Sequence, residues 1–138
     1  MSSKLAVSIH ILVLLAARED ALLTSEYIAC SVSTNPVVIR RILGSLRRAG
    51  MVRSQPGQNG GWELAKRPEA ITLLDAFQAV EHERVFALHP KQPNPNCSIG
   101  KSIQAALLGT FEEVEQAMER QLASTSVADV LKRLNTVL

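Results

Sequence analysis

With 138 residues, 46% hydrophobic and 20% charged, the chain is long enough to bury one core with an appendage and too apolar to be disordered. Aromatics are only 4%, so the core is built from Leu, Ile, Val and Ala, which favours packed helices over aromatic-rich sandwiches or barrels. Net charge is +2, and two cysteines, Cys30 and Cys97, are too few for a disulfide scaffold and lack structural-zinc spacing, so a reducing, cytoplasmic setting is expected.

Lys4 and the apolar run Leu5 to Ala17, broken only by Ser8 and His10, imitate a targeting segment. The run is shorter than the roughly 20 residues a membrane span needs, so it is expected to be a buried helix, with no membrane partner and His10 in a structural role. Thr24 is an N-cap for a second helix reaching about Cys30, with Glu26 in its first turn and Cys30 as a small core residue. After the polar turn Ser31 to Thr34, Asn35 as N-cap and Pro36 at the first helical position start a third helix. Its buried face is Ile39, Ile42, Leu43 and Leu46. Arg40 with Arg47, and Arg41 with Arg48, flank that stripe with Gly44 and Ser45 between them, and Gly50 closes the helix.

Met51 to Gln55 and Trp62 to Ala65 read as two strands joined by Pro56-Gly57-Gln58-Asn59-Gly60-Gly61, a β-hairpin. No Lys-Ser/Thr pair and helix follow these glycines, so a phosphate-binding loop is excluded. Thr72 caps a fourth helix through Leu73, Leu74, Phe77 and Val80, and Glu81 to Asn96, with three prolines, is a linker. Ile99, Ile103, Leu107, Phe111, Val114, Met118 and Leu122 then recur every three or four residues, predicting one long amphipathic helix. Such length exceeds what a small domain needs, so Ile103, Leu107, Phe111, Val114 and Met118 are expected to form a dimer seam. A short helix from Val127 to Leu134 follows. The expected organisation is mainly α with a small hairpin: residues 1–80 a DNA-binding domain, 81–98 a linker and sensor loop, 99–138 the dimerisation helix with the last short helix.

Residues 1–70 hold nine basic against five acidic side chains, and 71–138 six against eight. Between Asn35 and Arg67 the balance is seven basic to one acidic, which points to a local anionic partner where a solvated helix face is the bland alternative. Three helices followed by a hairpin, the third helix basic, is the order of a winged helix-turn-helix, whose third helix enters the major groove of double-stranded DNA. Thr34, Asn35, Val37, Arg40 and Arg41 are then placed for base edges or nearby backbone, and Arg47, Arg48 and Arg53 for phosphates. Gln58, Asn59 and Gly60 form the wing tip, expected to touch the minor groove or its phosphates. No nucleophile, base and orienting group come together, so an enzyme is not expected. A winged helix used for protein interaction is the remaining alternative, and the arginine placement argues against it.

Leu43 to Ser54, Asn59-Gly60-Gly61-Trp62-Glu63-Leu64-Ala65 and Ile71-Thr72-Leu73-Leu74-Asp75-Ala76 resemble the Rrf2 family of bacterial winged-helix transcription regulators, the IscR, NsrR and CymR type. The segments His89-Pro90 and Asn94-Pro95-Asn96-Cys97 are most similar to its YwnA-like branch. The resemblance implies a homodimer held by the long helix, binding a partly palindromic operator and usually repressing. Several members carry an iron-sulfur cluster on three cysteines before the long helix. This chain departs from that pattern: Cys97 is alone there, with Glu81, His82, Glu83 and His89 as the other donors. No cofactor or metal is therefore expected, a mixed site shared across a dimer being the alternative. Cys97 instead precedes a helix whose dipole and free N–H groups, with Lys101 one turn on, favour a thiolate, so it is a redox-sensor candidate. An ordinary helix-start cysteine is the competing reading.

Overall fold

A computed structural model describes residues 2–137, and among them lie six α-helices, one 3₁₀ turn and a two-stranded hairpin. The first apolar run forms α1 (Lys4–Ala17), which buries Ile11, Leu12, Val13, Leu15 and Ala16. Ser8 is fully buried too, and its hydroxyl donates to the Leu5 carbonyl at 2.7 Å, so no polar group is orphaned there. No helix is long and apolar enough to cross a membrane among the described residues.

Thr24 caps α2 (Ser25–Val32), its hydroxyl accepting the Tyr27 N–H at 3.1 Å. The helix buries Ser25, Ile28 and Ala29. Cys30 is exposed, which corrects its assignment to the core: about 100° per residue carries it off the face that Ile28 and Ala29 share. Ser33 ends α2 in the left-handed region at φ 63°, and the Thr34 N–H donates to the Ala29 carbonyl at 3.0 Å.

Asn35 and Pro36 begin α3 (Pro36–Arg48) as expected, the Asn35 carboxamide oxygen accepting the Val37 N–H at 2.8 Å. Ile39, Ile42, Leu43 and Leu46 are buried, each contributing roughly 1.5–3 kcal/mol. At the other end Gly50 takes φ 81°, its N–H donates to the Arg47 carbonyl, and the Met51 N–H reaches the Leu46 carbonyl at 3.0 Å. This is a Schellman closure, with Leu46 and Met51 both buried as its apolar contact. Because Met51 completes the cap, β1 starts one residue later than predicted.

β1 (Val52–Gln55) pairs antiparallel with β2 (Gly61–Leu64), placing Val52 opposite Leu64 and Arg53 opposite Glu63. Leu23 adds an isolated bridge to Trp62, with N–H···O distances of 3.1 and 2.8 Å. A Cβ on Gly61 would stand 2.7 Å from the Leu23 carbonyl oxygen, so this close approach requires glycine. After a 3₁₀ turn (Pro68–Ala70) comes α4 (Leu73–Val80), started by a reciprocal capping box between Thr72 and Asp75.

The long helix is α5 (Ser98–Ala123) and the last is α6 (Val127–Val137). Two compact units result: the chain up to His82 together with Leu122 onward, and Glu83–Gln121. The expected grouping of the last helix with the long one differs from this division, because α6 packs on α1 and its Val127 is fully buried. Within the second unit Phe86 packs on Phe111 with ring centroids 5.5 Å apart, and Arg84 Nε lies 3.6 Å from the Glu115 carboxylate.

A second reciprocal pair starts α6: the Ser126 N–H donates to Asp129 at 2.9 Å and the Asp129 N–H to the Ser126 hydroxyl at 3.0 Å. The Ser126 backbone N–H, then its hydroxyl and the Lys132 and Arg133 charges, hold the Asp129 carboxyl below its ordinary value. A depressed carboxyl stabilises the fold above its unfolded pKa of about 3.9, and the gain disappears as pH falls through the folded value. Ser126→Ala is therefore expected to lower Tm by about 3–5 °C at pH 7 and by less near pH 3. Thermal melts at the two pH values check this, and an equal deficit at both would separate the cap from the Asp129 charge.

Candidate nucleic-acid interface

On α3 the buried side chains fix what faces outward. Opposite Ile39, Ile42, Leu43 and Leu46 runs the stripe Val37, Arg41, Gly44 and Arg48, spaced by four, three and four residues. Arg41 and Arg48 thus occupy the centre of the outward face, not the flank of the buried stripe. Arg41 is exposed and has no ion-pair partner among the described residues. The Arg48 guanidinium donates to the Ser45 hydroxyl at 3.2 Å and lies over Gly44, where a Cβ would meet it at 3.5 Å.

Arg40 and Arg47 lie to one side of that stripe, and each has a partner. Arg40 pairs with Glu26 of α2 at 2.5 Å, and the Arg47 guanidinium sits 5.9 Å from the centre of the Trp62 ring. Arg53 pairs with its cross-strand neighbour Glu63 at 2.8 Å. Exposed pairs like these contribute about 0–1 kcal/mol, so a phosphate can displace the carboxylate at small cost. Glu26 and Trp62 escaped the sequence reading because each is remote in sequence from its arginine; alignment of α2 against α3 was the only available signal.

At the start of α3, Thr34 is half-buried and Asn35 exposed, its carboxamide oxygen committed to the cap. Val37 is 54% exposed and Val38 39%. In the wing, Gln58 and Asn59 are exposed, with Gly57 at φ 94° and Asn59 at φ 65°. The Gly60 N–H closes the turn on the Gly57 carbonyl at 3.0 Å, and a Cβ on Gly60 would lie 2.0 Å from the Gln55 carbonyl oxygen. Only glycine fits at that tip.

In the second unit no residue of α5 is buried. Ile103 and Val114 of the expected seam are 37% and 44% exposed, whereas Leu107, Met118 and Phe111 are half-buried, Phe111 against Phe86. Ile99, at 69%, is the most exposed large apolar side chain on the helix. Cys97 is exposed, and the Gly100 N–H donates to its sulfur at 3.5 Å. That N–H, followed by the Ile99 N–H, lowers the thiol below its ordinary value. Backbone donors therefore do what the sequence reading assigned in part to Lys101. His10, exposed, shares a 2.9 Å hydrogen bond with the Ser31 hydroxyl, which ties α1 to the end of α2.

The Rrf2 family model, described as an iron-dependent transcriptional regulator, matches residues 1–133. The chain is a member of the Rrf2 family. YwnA of Bacillus subtilis, named as an HTH-type transcriptional regulator, is 47% identical over 135 residues, covering 97% of this chain and 98% of the relative. A crystal structure described as that of a DNA-binding protein is 46% identical, with TM-score 0.76 over 94% of this chain and 99% of the other. IscR of T. potens is 25% identical, with TM-score 0.72 over 97% and 87%. This Rrf2 protein is thus a winged-helix transcription regulator and DNA-binding protein, not an enzyme. Iron in the family description finds no matching donors: no three His, Cys, Asp or Glu side chains come together to hold a metal ion among the described residues.

Proposed function

We propose that this Rrf2 regulator is a cytoplasmic homodimeric repressor that sets α3 into the major groove of a partly palindromic operator. The wing tip Gln58–Gly60 rests on the neighbouring minor groove. The observation that carries this reading is the outward stripe of α3, where Arg41, with no ion-pair partner among the described residues, and Arg48, whose guanidinium folds over Gly44 with only a serine hydroxyl as partner, place two positive charges on the face opposite the core. The flanking Arg40, Arg47 and Arg53, held by weak surface partners, supply further phosphate contacts. A second copy covers the apolar stripe of α5, and a dimer seated on an operator blocks polymerase.

Signal reception belongs to Cys97 in this reading. Its exposed, acidified thiol is suited to forming a sulfenic acid with peroxide or a mixed disulfide by displacing one thiol from a small disulfide. Either product alters charge at the first turn of the helix that joins the copies, and so the spacing of the two recognition helices. The test is a footprint on DNA beside the chain's own coding region, with and without mild peroxide, for the native protein and Cys97→Ser. Protection of an inverted repeat is expected, with affinity falling about tenfold on oxidation of the native protein alone. Equal losses in both proteins remove Cys97 as the sensor, and absence of protection removes the operator reading.

A further inference from the structure

We propose that Val37 reads the 5-methyl group of a thymine in each operator half-site; the proposal rests on the DNA-binding reading above and specifies its ligand. Val37 begins the outward stripe of α3, one helical turn before Arg41, and so stands at the end of the recognition helix that reaches deepest into a major groove. It is more than half exposed, although nothing in the folding of the chain requires a β-branched apolar side chain there. Valine has no hydrogen-bonding group, so only an apolar feature of a base edge can reward its presence. The major groove offers one such feature, the thymine methyl.

The neighbouring polar groups reinforce the assignment. Asn35, which could otherwise take adenine through both ends of its carboxamide, has its oxygen fixed on the Val37 N–H. Arg40 is turned to Glu26. The first turn of α3 therefore presents an apolar rather than a hydrogen-bonding tip, extended to one side by Val38, with Arg41, which has no ion-pair partner among the described residues, behind it to hold the backbone.

The experiment starts from the duplex that the full-length protein selects from a random library. Each thymine is replaced in turn by deoxyuridine, which removes the methyl and leaves every hydrogen bond. One position per half-site is expected to lower native affinity about fourfold, the worth of one buried methyl. Val37→Ala, at an exposed site where alanine is the better helix former, keeps only the Cβ and is expected to discriminate the two duplexes less than about twofold. Native protein that treats thymine and deoxyuridine alike at every position overturns the proposal, as does a Val37→Ala protein that still discriminates fourfold. In either case preference for the selected over a scrambled duplex leaves the DNA-binding reading standing, whereas binding to neither overturns both.

Discussion

Arg41→Ala combined with Arg48→Ala is expected to weaken operator binding about a thousandfold at 0.1 M salt, scrambled duplexes losing affinity in parallel. The reasoning is arithmetic on the outward stripe of α3. On the proposed placement two arginines per subunit give four phosphate contacts in a dimer, each contributing about 0.9 to the slope of log affinity against log salt. The slope should therefore fall by between about 3 and 4, a change that a general loss of fold does not mimic. Arg47 is left out of the pair because its guanidinium rests over Trp62, so Arg47→Ala would remove a contact to the hairpin together with the charge. Titrations on both duplexes at several salt concentrations decide it. An unchanged slope in the double variant would falsify the placement of α3.

Ile103→Glu combined with Val114→Glu is expected to shift the protein to monomer, weakening self-association at least about a hundredfold through uncompensated buried charge. These two side chains, with Ile99, are the large apolar groups that α5 leaves to solvent. Phe111, at the centre of the seam expected from spacing, is turned toward Phe86, so a charge there damages the subunit before it tests the interface. Sedimentation of the double variant checks the point, and a variant that remains dimeric places the contact elsewhere. Loss of the dimer should also abolish the advantage of an inverted repeat over a single half-site.

Helix starts were legible because their signals are local: Thr24, Asn35-Pro36 and Thr72 each satisfy backbone groups within three residues. The hairpin was equally plain from its glycines. What escaped was non-local or chemically unremarkable. Ser33 takes a left-handed turn that usually advertises itself by glycine, and the Leu23 bridge to Trp62 joins residues nearly forty positions apart. Periodicity located α5 within a residue at each end but not the rotation of its free face, because Ile, Leu, Val, Phe and Met weigh alike in a spacing count while the Phe86 segment covers one edge. The basic stretch is plain in the sequence, but the partners Glu26, Glu63 and Trp62 of Arg40, Arg53 and Arg47 had to come from three dimensions.

The seam between the first and last helices has a bearing on how the protein is made. Leu73 and Val127 donate to the carbonyls of Thr125 and Ile71 at 2.9 Å each, which anchors the start of α6 beside the start of α4, and Val130 and Leu131 then close over the core that α1 helps to form. Those contacts span most of the chain, and such long-range closure is late and slow. A ribosome-bound chain therefore carries α1 with an open apolar flank until α6 has emerged, some seconds after the recognition helix at 5–20 residues per second. Because α5 lies between α4 and α6 in the chain, the unit that carries α3 completes its core only after the whole of α5 has been synthesised.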